Sequence, residues 1–286
     1  MSFIQAIIDG LLVGGVYAVI SIGLTLVYGV MGIVNFAQAE FVMIGMFVAW
    51  FAWAYLGLDP VLAAPLSFAV AFCIGWFVQG QLISRVLKAP SVAQIFLTVG
   101  LMAVFENGAL LVFGSEFRSV TTPYQTMSLA LGPLFISVPY LIAFVMSLAS
   151  GLALWWFMRA SWFGQAMRST AQDPMASQLV GIDTAMMYKI SFALGVGLTA
   201  FGGAVILPYV TVSPGSGAQY VVLMFTVVVL GGLGSVAGAV VGGLAVGIIQ
   251  SLSGLFFPIQ LQNLVLFLVF ILVLAVRPQG LIGAKR

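Results

Sequence analysis

The chain has 286 residues, of which 63% are hydrophobic and 6% are charged, against about a quarter charged in soluble proteins. This composition excludes an ordinary soluble domain and is typical of a membrane protein, in which each helical span needs about 20 apolar residues. A net charge of +2 is too small for a nucleic-acid surface. We therefore expect an all-α, polytopic helical membrane protein that forms a single transmembrane domain over residues 1–286.

Apolar runs separated by polar or Gly/Pro-rich turns predict the spans in chain order. The runs cover residues 5–29, 41–56, 61–84, 91–113, 140–158, 190–207, 220–257 and 260–276. The run 220–257 is too long for one span and carries GGLGS in its middle, which predicts two short helices with a break there. This division gives about nine transmembrane helices, in a range of roughly eight to ten, some of them short or broken.

The basic residues set the expected orientation, because short cytoplasmic loops are enriched in Lys and Arg. They cluster in two loops and the tail: Arg85 and Lys88; Arg159, Arg168 and Lys189; Arg277, Lys285 and Arg286. With nine spans the N-terminus lies outside and the C-terminus lies in the cytoplasm. Without the break there would be eight spans and the N-terminus would lie inside. No Lys or Arg precedes the first run, so we expect that run to remain as a span and not to be a signal peptide.

Catalysis is not expected. The chain has no histidine, which excludes Ser-His-Asp and Cys-His sets. It has one cysteine, Cys73, no cluster with metal-ligand spacing, and no phosphate-binding G-x-x-x-x-G-K-[ST] loop. We expect no enzyme activity, cofactor or metal, and a function in the membrane.

The polar segment 160–182 lies between two apolar runs and predicts a short helix outside the membrane core. Asp173 is a suitable N-cap, Pro174 suits the first helical position, and Gly181 suits the position after the end. The helix over 174–180 would place three apolar side chains at helical spacing: Met175, Leu179 and Val180. This face could dock a partner, or the helix could rest on lipid headgroups.

Polar side chains also occur within the apolar part of the chain. Asn35, Gln38 and Glu40 lie where the first span gives way to the second. Intramembrane polar groups usually face a cavity or a partner, so these three are candidates for a translocation path. The alternative is an interfacial turn with solvated side chains. Glu106 and Asn107, near the outer end of their span, are expected to reach the headgroups.

Small residues recur every four positions in the seventh run, which predicts close helix packing. They are Gly231, Ser235, Ala239, Gly243, Gly247 and Ser251. Four-residue spacing would put them on one helical face. Such a face suits a pore wall, a dimer contact or an ordinary helix bundle.

Four stretches, in order along nearly the whole chain, carry a family resemblance. They are GLTLVYGVMGIVNFAQAEFVMIGM (23–46), FGQAMRSTAQDPMASQLVGI (163–182), VVLGGLGSVAGAVVGG (228–243) and RPQGLIG (277–283). The chain is similar in these stretches to the permease subunits of bacterial ABC importers for branched-chain amino acids, the LivH-like proteins. One departure is Gln38–Ala39, where His–Gly would be expected.

The resemblance implies a complex in the bacterial inner membrane. Its other members would be a second permease subunit, a paralogue of this one, two ATP-binding cassette subunits and a periplasmic substrate-binding protein. The element that couples to the ATPase would then be about 164–181, with these residues: Gly164, Arg168, Gln172, Asp173, Pro174, Met175, Leu179 and Gly181. The longest outer segments, 114–139 with Glu116 and Arg118, and 208–219, would dock the binding protein.

The function expected from these features is a permease subunit that moves branched-chain or other hydrophobic amino acids, or related small amides, into the cytoplasm. An ion-coupled secondary carrier or channel is the main alternative, with Glu40 and Glu106 as its candidate carboxylates. A membrane anchor for a soluble enzyme is a third possibility, which the glycine-rich, broken spans disfavour.

Overall fold

The protein is described here by a computed structural model that covers residues 2–132, 134–277 and 280–282. Its helices are α1 (Ser2–Met31), α2 (Glu40–Leu56), α3 (Ala64–Val78), α4 (Ser84–Val86), α5 (Ser91–Phe113), α6 (Val138–Ala160), α7 (Trp162–Gln172), α8 (Pro174–Leu179), α9 (Thr184–Ile206), α10 (Ser216–Gly231), α11 (Val236–Phe256) and α12 (Ile259–Val276). A 3-10 turn, Phe36–Ala39, precedes α2, and a π-helical turn, Gln79–Ile83, joins α3 to α4.

The expected fold class is confirmed. Among the described residues, seven helices are long and apolar enough to cross a membrane, and two shorter apolar helices, Ser216–Gly231 and Leu264–Val276, bring the number to nine. The break near GGLGS is also present, because Gly232 and Gly234 adopt φ values of 108° and 85° that end the helix. Ser235 then begins α11, since its hydroxyl accepts the Gly238 N–H at 3.0 Å.

Helices α1 and α9 form the centre of the bundle and are buried along most of their lengths. The contact between α1 and α11 is made backbone to backbone. A methyl group added at Gly243 would lie 2.5 Å from the backbone nitrogen of Ala18, and one at Gly247 would lie 2.3 Å from the Gly10 carbonyl oxygen. Small residues on α11 therefore allow an approach that larger side chains would block.

The interpretation of all six small residues as one helical face is wrong at its start. Gly231 is the last residue of α10, so the turn between the two helices separates it from the others. Ser235 is the N-cap of α11, and its carbonyl accepts the Ala239 N–H at 2.9 Å. Gly231 instead packs against the first turn of α11, because a methyl group there would lie 2.1 Å from the Gly238 carbonyl oxygen. Ala239, Gly243 and Gly247 remain together within α11, where all three are buried.

The segment 114–139 contains a β-hairpin that the sequence did not predict. Strand β1 (Ser128–Leu131) pairs antiparallel with β2 (Leu134–Ser137). The hairpin is tied to the start of α1, because the Phe135 N–H donates to the Gln5 side-chain oxygen at 3.0 Å. The same segment is joined to the α9–α10 connection, where Arg118 and Val212 exchange two backbone hydrogen bonds of 2.8 Å.

The described part of the C-terminal tail returns to the bundle. The backbone N–H groups of Leu281 and Ile282 donate to the carbonyl oxygens of Leu230 and Gly231, at 2.8 and 3.1 Å. These carbonyls end α10 and would otherwise lack helical partners. The expected cytoplasmic charges Lys285 and Arg286 lie outside the described residues.

Candidate functional site

The polar residues Asn35, Gln38 and Glu40 lie at a break in helical structure between the first and second spans. Helix α1 ends at Met31, and Gly32, with a φ of 69°, turns the chain out of the helix. The side chain of Asn35 accepts the Ala37 N–H at 3.2 Å and so begins the 3-10 turn before α2. Non-helical backbone inside a membrane bundle is tolerated only where protein or a cavity surrounds it.

The three candidate path residues lie together inside this break. The exposed fractions of Asn35, Gln38 and Glu40 are 0%, 1% and 0%. A solvated interfacial turn is therefore the wrong interpretation of these residues. They are buried polar groups within the bundle, where each one needs a partner to offset its desolvation.

A hydrogen-bonded chain links the break to both central helices. The Asn35 amide donates to Gln38 Oε1 at 2.9 Å, and Gln38 Nε2 donates to Thr199 Oγ1 at 2.8 Å. The single hydroxyl proton of Thr199 can reach the carbonyl oxygen of Ile20 on α1 or of Gly195 on α9, each 3.1 Å away. The chain fixes the position of the broken segment against α1 and α9.

Glu40 differs from its two neighbours because both of its carboxylate oxygens are buried without a hydrogen-bond partner among the described residues. The carboxylate lies against the first turn of α10, since a methyl group at Gly217 would lie 2.4 Å from Glu40 Oε2. The positive end of the α10 dipole favours negative charge at this position. A buried, unpartnered carboxylate in a span marks a candidate functional position.

The first testable prediction concerns the hydrogen-bonded chain. Thr199→Val keeps the side-chain shape and removes the acceptor of Gln38 Nε2, so we expect the free energy of unfolding to fall by about 1–3 kcal/mol. Thermal unfolding of the purified protein measures this change. Thr226→Val is the matched control, because within the described part of the chain the Thr226 hydroxyl donates only to Val222 of its own helix. A loss no larger than in the control would contradict the role assigned to Thr199.

The segment 160–182 folds into two helices at the end of the bundle that carries Arg159 and Lys189. Helix α7 was not predicted from the sequence. It begins at Ser161, whose hydroxyl accepts the Gly164 N–H at 3.0 Å. Gly164 makes the tight α6–α7 turn possible, because a methyl group there would lie 2.5 Å from the Met158 backbone.

Helix α8 agrees with the predicted short helix in its cap and in its end. Asp173 Oδ1 accepts the N–H groups of Met175 and Ala176, both at 2.9 Å, and Pro174 is the first helical residue. Gly181 follows the end of the helix with a φ of 84°. These signals act locally, which explains why they could be read from the sequence.

The two faces of α8 differ sharply. On the inner face, the Ser177 and Ser169 hydroxyls lie 2.9 Å apart and connect α8 to α7. The outer face carries the three apolar side chains Met175, Leu179 and Val180, whose exposed fractions are 76%, 84% and 75%. We call these three residues the α8 face. Arg168 and Gln172 of α7 are also exposed.

The two residues expected to dock a binding protein have different surroundings. Glu116 is exposed. Arg118 is engaged within the chain: its guanidinium carbon lies 4.4 Å from the centroid of the Trp50 ring, and its Nη2 donates to the Phe113 carbonyl at 2.7 Å. Arg118 therefore ties the segment 114–139 to α2 and α5.

Several residues of these arrangements were missed by sequence reasoning. Thr199 gives no signal in the sequence, because it is a single hydroxyl residue within an apolar run. Its role depends on its hydrogen bond with Gln38, 161 residues away. Asp9 did leave a signal, since an ionisable residue within the first apolar run is rare. Its side chain accepts the Gln5 amide at 3.1 Å and lines a cavity beside the β-hairpin.

Comparison with known proteins identifies the family. Residues 6–274 match the family described as "Branched-chain amino acid transport system / permease component". The chain is 31% identical to the high-affinity branched-chain amino acid transport system permease protein BraD of Pseudomonas aeruginosa, over 98% of this chain and 96% of that protein. Identity and coverage are the same for the permease protein LivH of Escherichia coli strain K12.

A more distant relative extends the comparison to an archaeon. The probable branched-chain amino acid transport permease protein LivH of Methanocaldococcus jannaschii is 25% identical over 87% of this chain and 80% of its own length. No solved structure matches the chain significantly. Because the family match covers nearly the whole chain, including the break between α1 and α2 and the α7–α8 segment, this protein belongs to the family of branched-chain amino acid transport permease components.

Proposed function

We propose that the chain is the membrane-spanning subunit of an ABC importer that moves branched-chain or other hydrophobic amino acids, or related small amides, into the bacterial cytoplasm. ATP hydrolysis would take place in two separate ATPase subunits, so this subunit itself would be non-catalytic. A second permease subunit, a paralogue, would complete the membrane part, and a periplasmic binding protein would deliver the substrate. The names of the relatives and the features of the bundle support this proposal.

The proposed orientation places the N-terminus outside and the C-terminus in the cytoplasm of an inner-membrane protein. The positions of basic side chains support this orientation. Arg159 and Arg168 line one cavity together with Gly29 and Gly234, so these four residues lie at one end of the bundle. The side chain of Lys189 packs against Gly80, a few residues before the basic α4 loop. Lys and Arg gathered at one end favour the cytoplasmic side there.

The observation that carries the proposal is the α8 face. Three large apolar side chains project from this six-residue helix and the residue that follows it, at the end of the bundle assigned to the cytoplasm. The helix is held by its Asp173 cap and by its contact with α7. An exposed apolar face on a well-supported helix suits docking into a groove of a partner such as an ATPase.

The proposed translocation path passes the break between the first and second spans. Asn35 and Gln38 are held by the hydrogen-bonded chain, whereas the Glu40 carboxylate has no hydrogen-bond partner among the residues that the structure describes. A rearrangement during transport would give Glu40 a new partner, either water or the ammonium group of a substrate. We also propose that the outer segments 114–139 and 208–219 dock the binding protein, with Glu116 as the exposed charge.

A second prediction tests the rigidity of the coupling element. Asp173→Ala removes the cap of α8 and is expected to destabilise that helix by about 0.5–2 kcal/mol, which lowers the transport rate without affecting membrane insertion. Asp173→Asn is the matched control, because asparagine caps helices equally well. Transport by both variants is measured in proteoliposomes with the complete complex. Equal transport by the alanine and asparagine variants would contradict a need for the cap.

Co-purification tests the proposed function directly. The permease is expressed with its proposed partners, extracted in detergent and isolated through a tag on this chain. We expect two ATPase subunits and one other permease for each copy, and amino acid uptake into proteoliposomes that requires both ATP and the binding protein. Uptake driven by an ion gradient without any ATPase would instead establish a secondary carrier, for which the buried Glu40 would be the first candidate site.

A further inference from the structure

A polar cavity of about 550 Å³ opens at the end of the bundle that carries the β-hairpin. Helices α1, α6, α9, α10, α11 and α12 contribute to its wall, together with both strands of the hairpin and the connection after α9. Four of the eight tyrosines in the chain line it: Tyr17, Tyr140, Tyr209 and Tyr220. Its volume is in the usual range for small-molecule sites.

Asp9 is the only charged side chain among the described residues that line this cavity. Its two carboxylate oxygens each lie 3.1 Å from Gln5 Nε2. Gln5 is itself fixed, because its side chain bonds with both the N–H and the carbonyl group of Phe135 on β2. The carboxylate is thus held in place and keeps acceptor capacity for a cation.

The tyrosines add a second means of binding a cation. The Tyr140 and Tyr209 rings meet edge to face, with centroids 4.5 Å apart. Aromatic faces attract ammonium groups, and hydroxyl oxygens accept their hydrogens. Tyr17 shares a side-chain hydrogen bond with Gln250. No hydrogen bond between described residues involves the hydroxyls of Tyr140, Tyr209 and Tyr220, so these three are available to a ligand.

The rest of the lining suits the other parts of an amino acid. Val13, Ile206 and Val210 supply an apolar surface for an aliphatic side chain. Gln250 and Gln262 supply amide groups that can donate to a carboxylate. One cavity therefore offers a carboxylate for an ammonium group, amides for a carboxylate and an apolar wall.

We propose that this cavity is an outer binding site for a hydrophobic amino acid, in which Asp9 is the counter-charge of the ammonium group. The inference rests on the proposed function for the identity of the ligand, and the site is separate from the break between α1 and α2. Substrate released by the binding protein would be held here, at the outer end of the subunit, before it enters the path.

Equilibrium dialysis of the purified permease complex, without the binding protein, tests the proposal. The labelled probes are leucine, 3-methylbutylamine, which lacks the carboxylate, and 4-methylpentanoate, which lacks the ammonium group. We expect leucine to bind, the amine to bind more weakly and the acid not to bind. Asp9→Asn should weaken leucine binding by at least about tenfold, whereas Asp9→Glu should retain much of it.

Asp59→Asn is the matched control and should bind leucine like the unchanged protein. Asp59 is another carboxylate at this end of the bundle, and asparagine can still accept the Val61 N–H and the Tyr124 hydroxyl. If Asp9→Asn does not fold, Tyr140→Leu tests the same site and should also weaken binding. The proposal is overturned if the folded variants bind leucine normally, if 4-methylpentanoate binds as well as leucine, or if only the amine binds.

Failure of this inference can be told apart from failure of the proposed function. The dialysis needs neither ATP nor the binding protein. ATP-driven uptake with no dependence of leucine binding on Asp9 would remove the cavity site alone. Leucine binding that depends on Asp9, in a protein that never associates with an ATPase, would remove the importer function and leave the site.

Discussion

Leu179→Asp is expected to abolish ATP-driven transport while the membrane domain still folds and inserts. Leu179 is 84% exposed and lies at the centre of the α8 face, so its replacement breaks no internal packing. A few apolar anchors carry most of the energy of a small interface, and a buried charge there would weaken ATPase binding by at least about 2 kcal/mol, a factor of roughly 30. Binding of the purified ATPase to permease in membranes measures the loss.

Ala185→Asp is the control for this prediction. It adds the same charge at another exposed position, just after the segment 160–182, where an acidic residue in the first turn of α9 suits the helix dipole. We expect its ATPase binding and transport to be close to normal. Loss of transport by Leu179→Asp with the ATPase still bound at full stoichiometry would contradict the docking assignment and place the defect in the path.

Gly243→Leu is expected to have the largest effect on assembly. The added side chain would begin where the Ala18 backbone already lies, 2.5–2.6 Å from its nitrogen and α-carbon, and a helix backbone cannot move aside as a side chain can. Forcing α1 away from α11 separates the central helix from its main neighbour. We expect the free energy of unfolding to fall by at least about 3 kcal/mol, which is at the upper end for overpacking, and little folded protein to accumulate in the membrane.

Gly100→Leu provides the matched control, because Gly100 also lies within a spanning helix but no heavy atom of the described residues lies within 4 Å of an added methyl group. Its expression and its monodispersity in detergent should remain close to those of the unchanged protein. If Gly243→Leu assembled and transported like Gly100→Leu, the close packing of α1 and α11 would be excluded.

The sequence by itself determined the features that depend on residues close to one another along the chain. Runs of apolar residues located the spans, because a helix that crosses lipid must satisfy its backbone internally and present apolar side chains. The cap of α8 at Asp173 and its end at Gly181 could be predicted, since both depend on residues within one turn. The break after Gly231 could be predicted for the same reason.

The tertiary structure alone decided which residues meet. In a chain this apolar every face of a helix suits lipid or protein, so the sequence does not reveal that α1 and α9 are central. Gln38 bonds with Thr199, and Arg118 is engaged by Trp50 and Phe113, through contacts between distant segments. Asp9 joins four tyrosines from distant parts of the chain in one cavity. Such groupings arise because buried polar groups must find partners wherever helix packing brings them within reach.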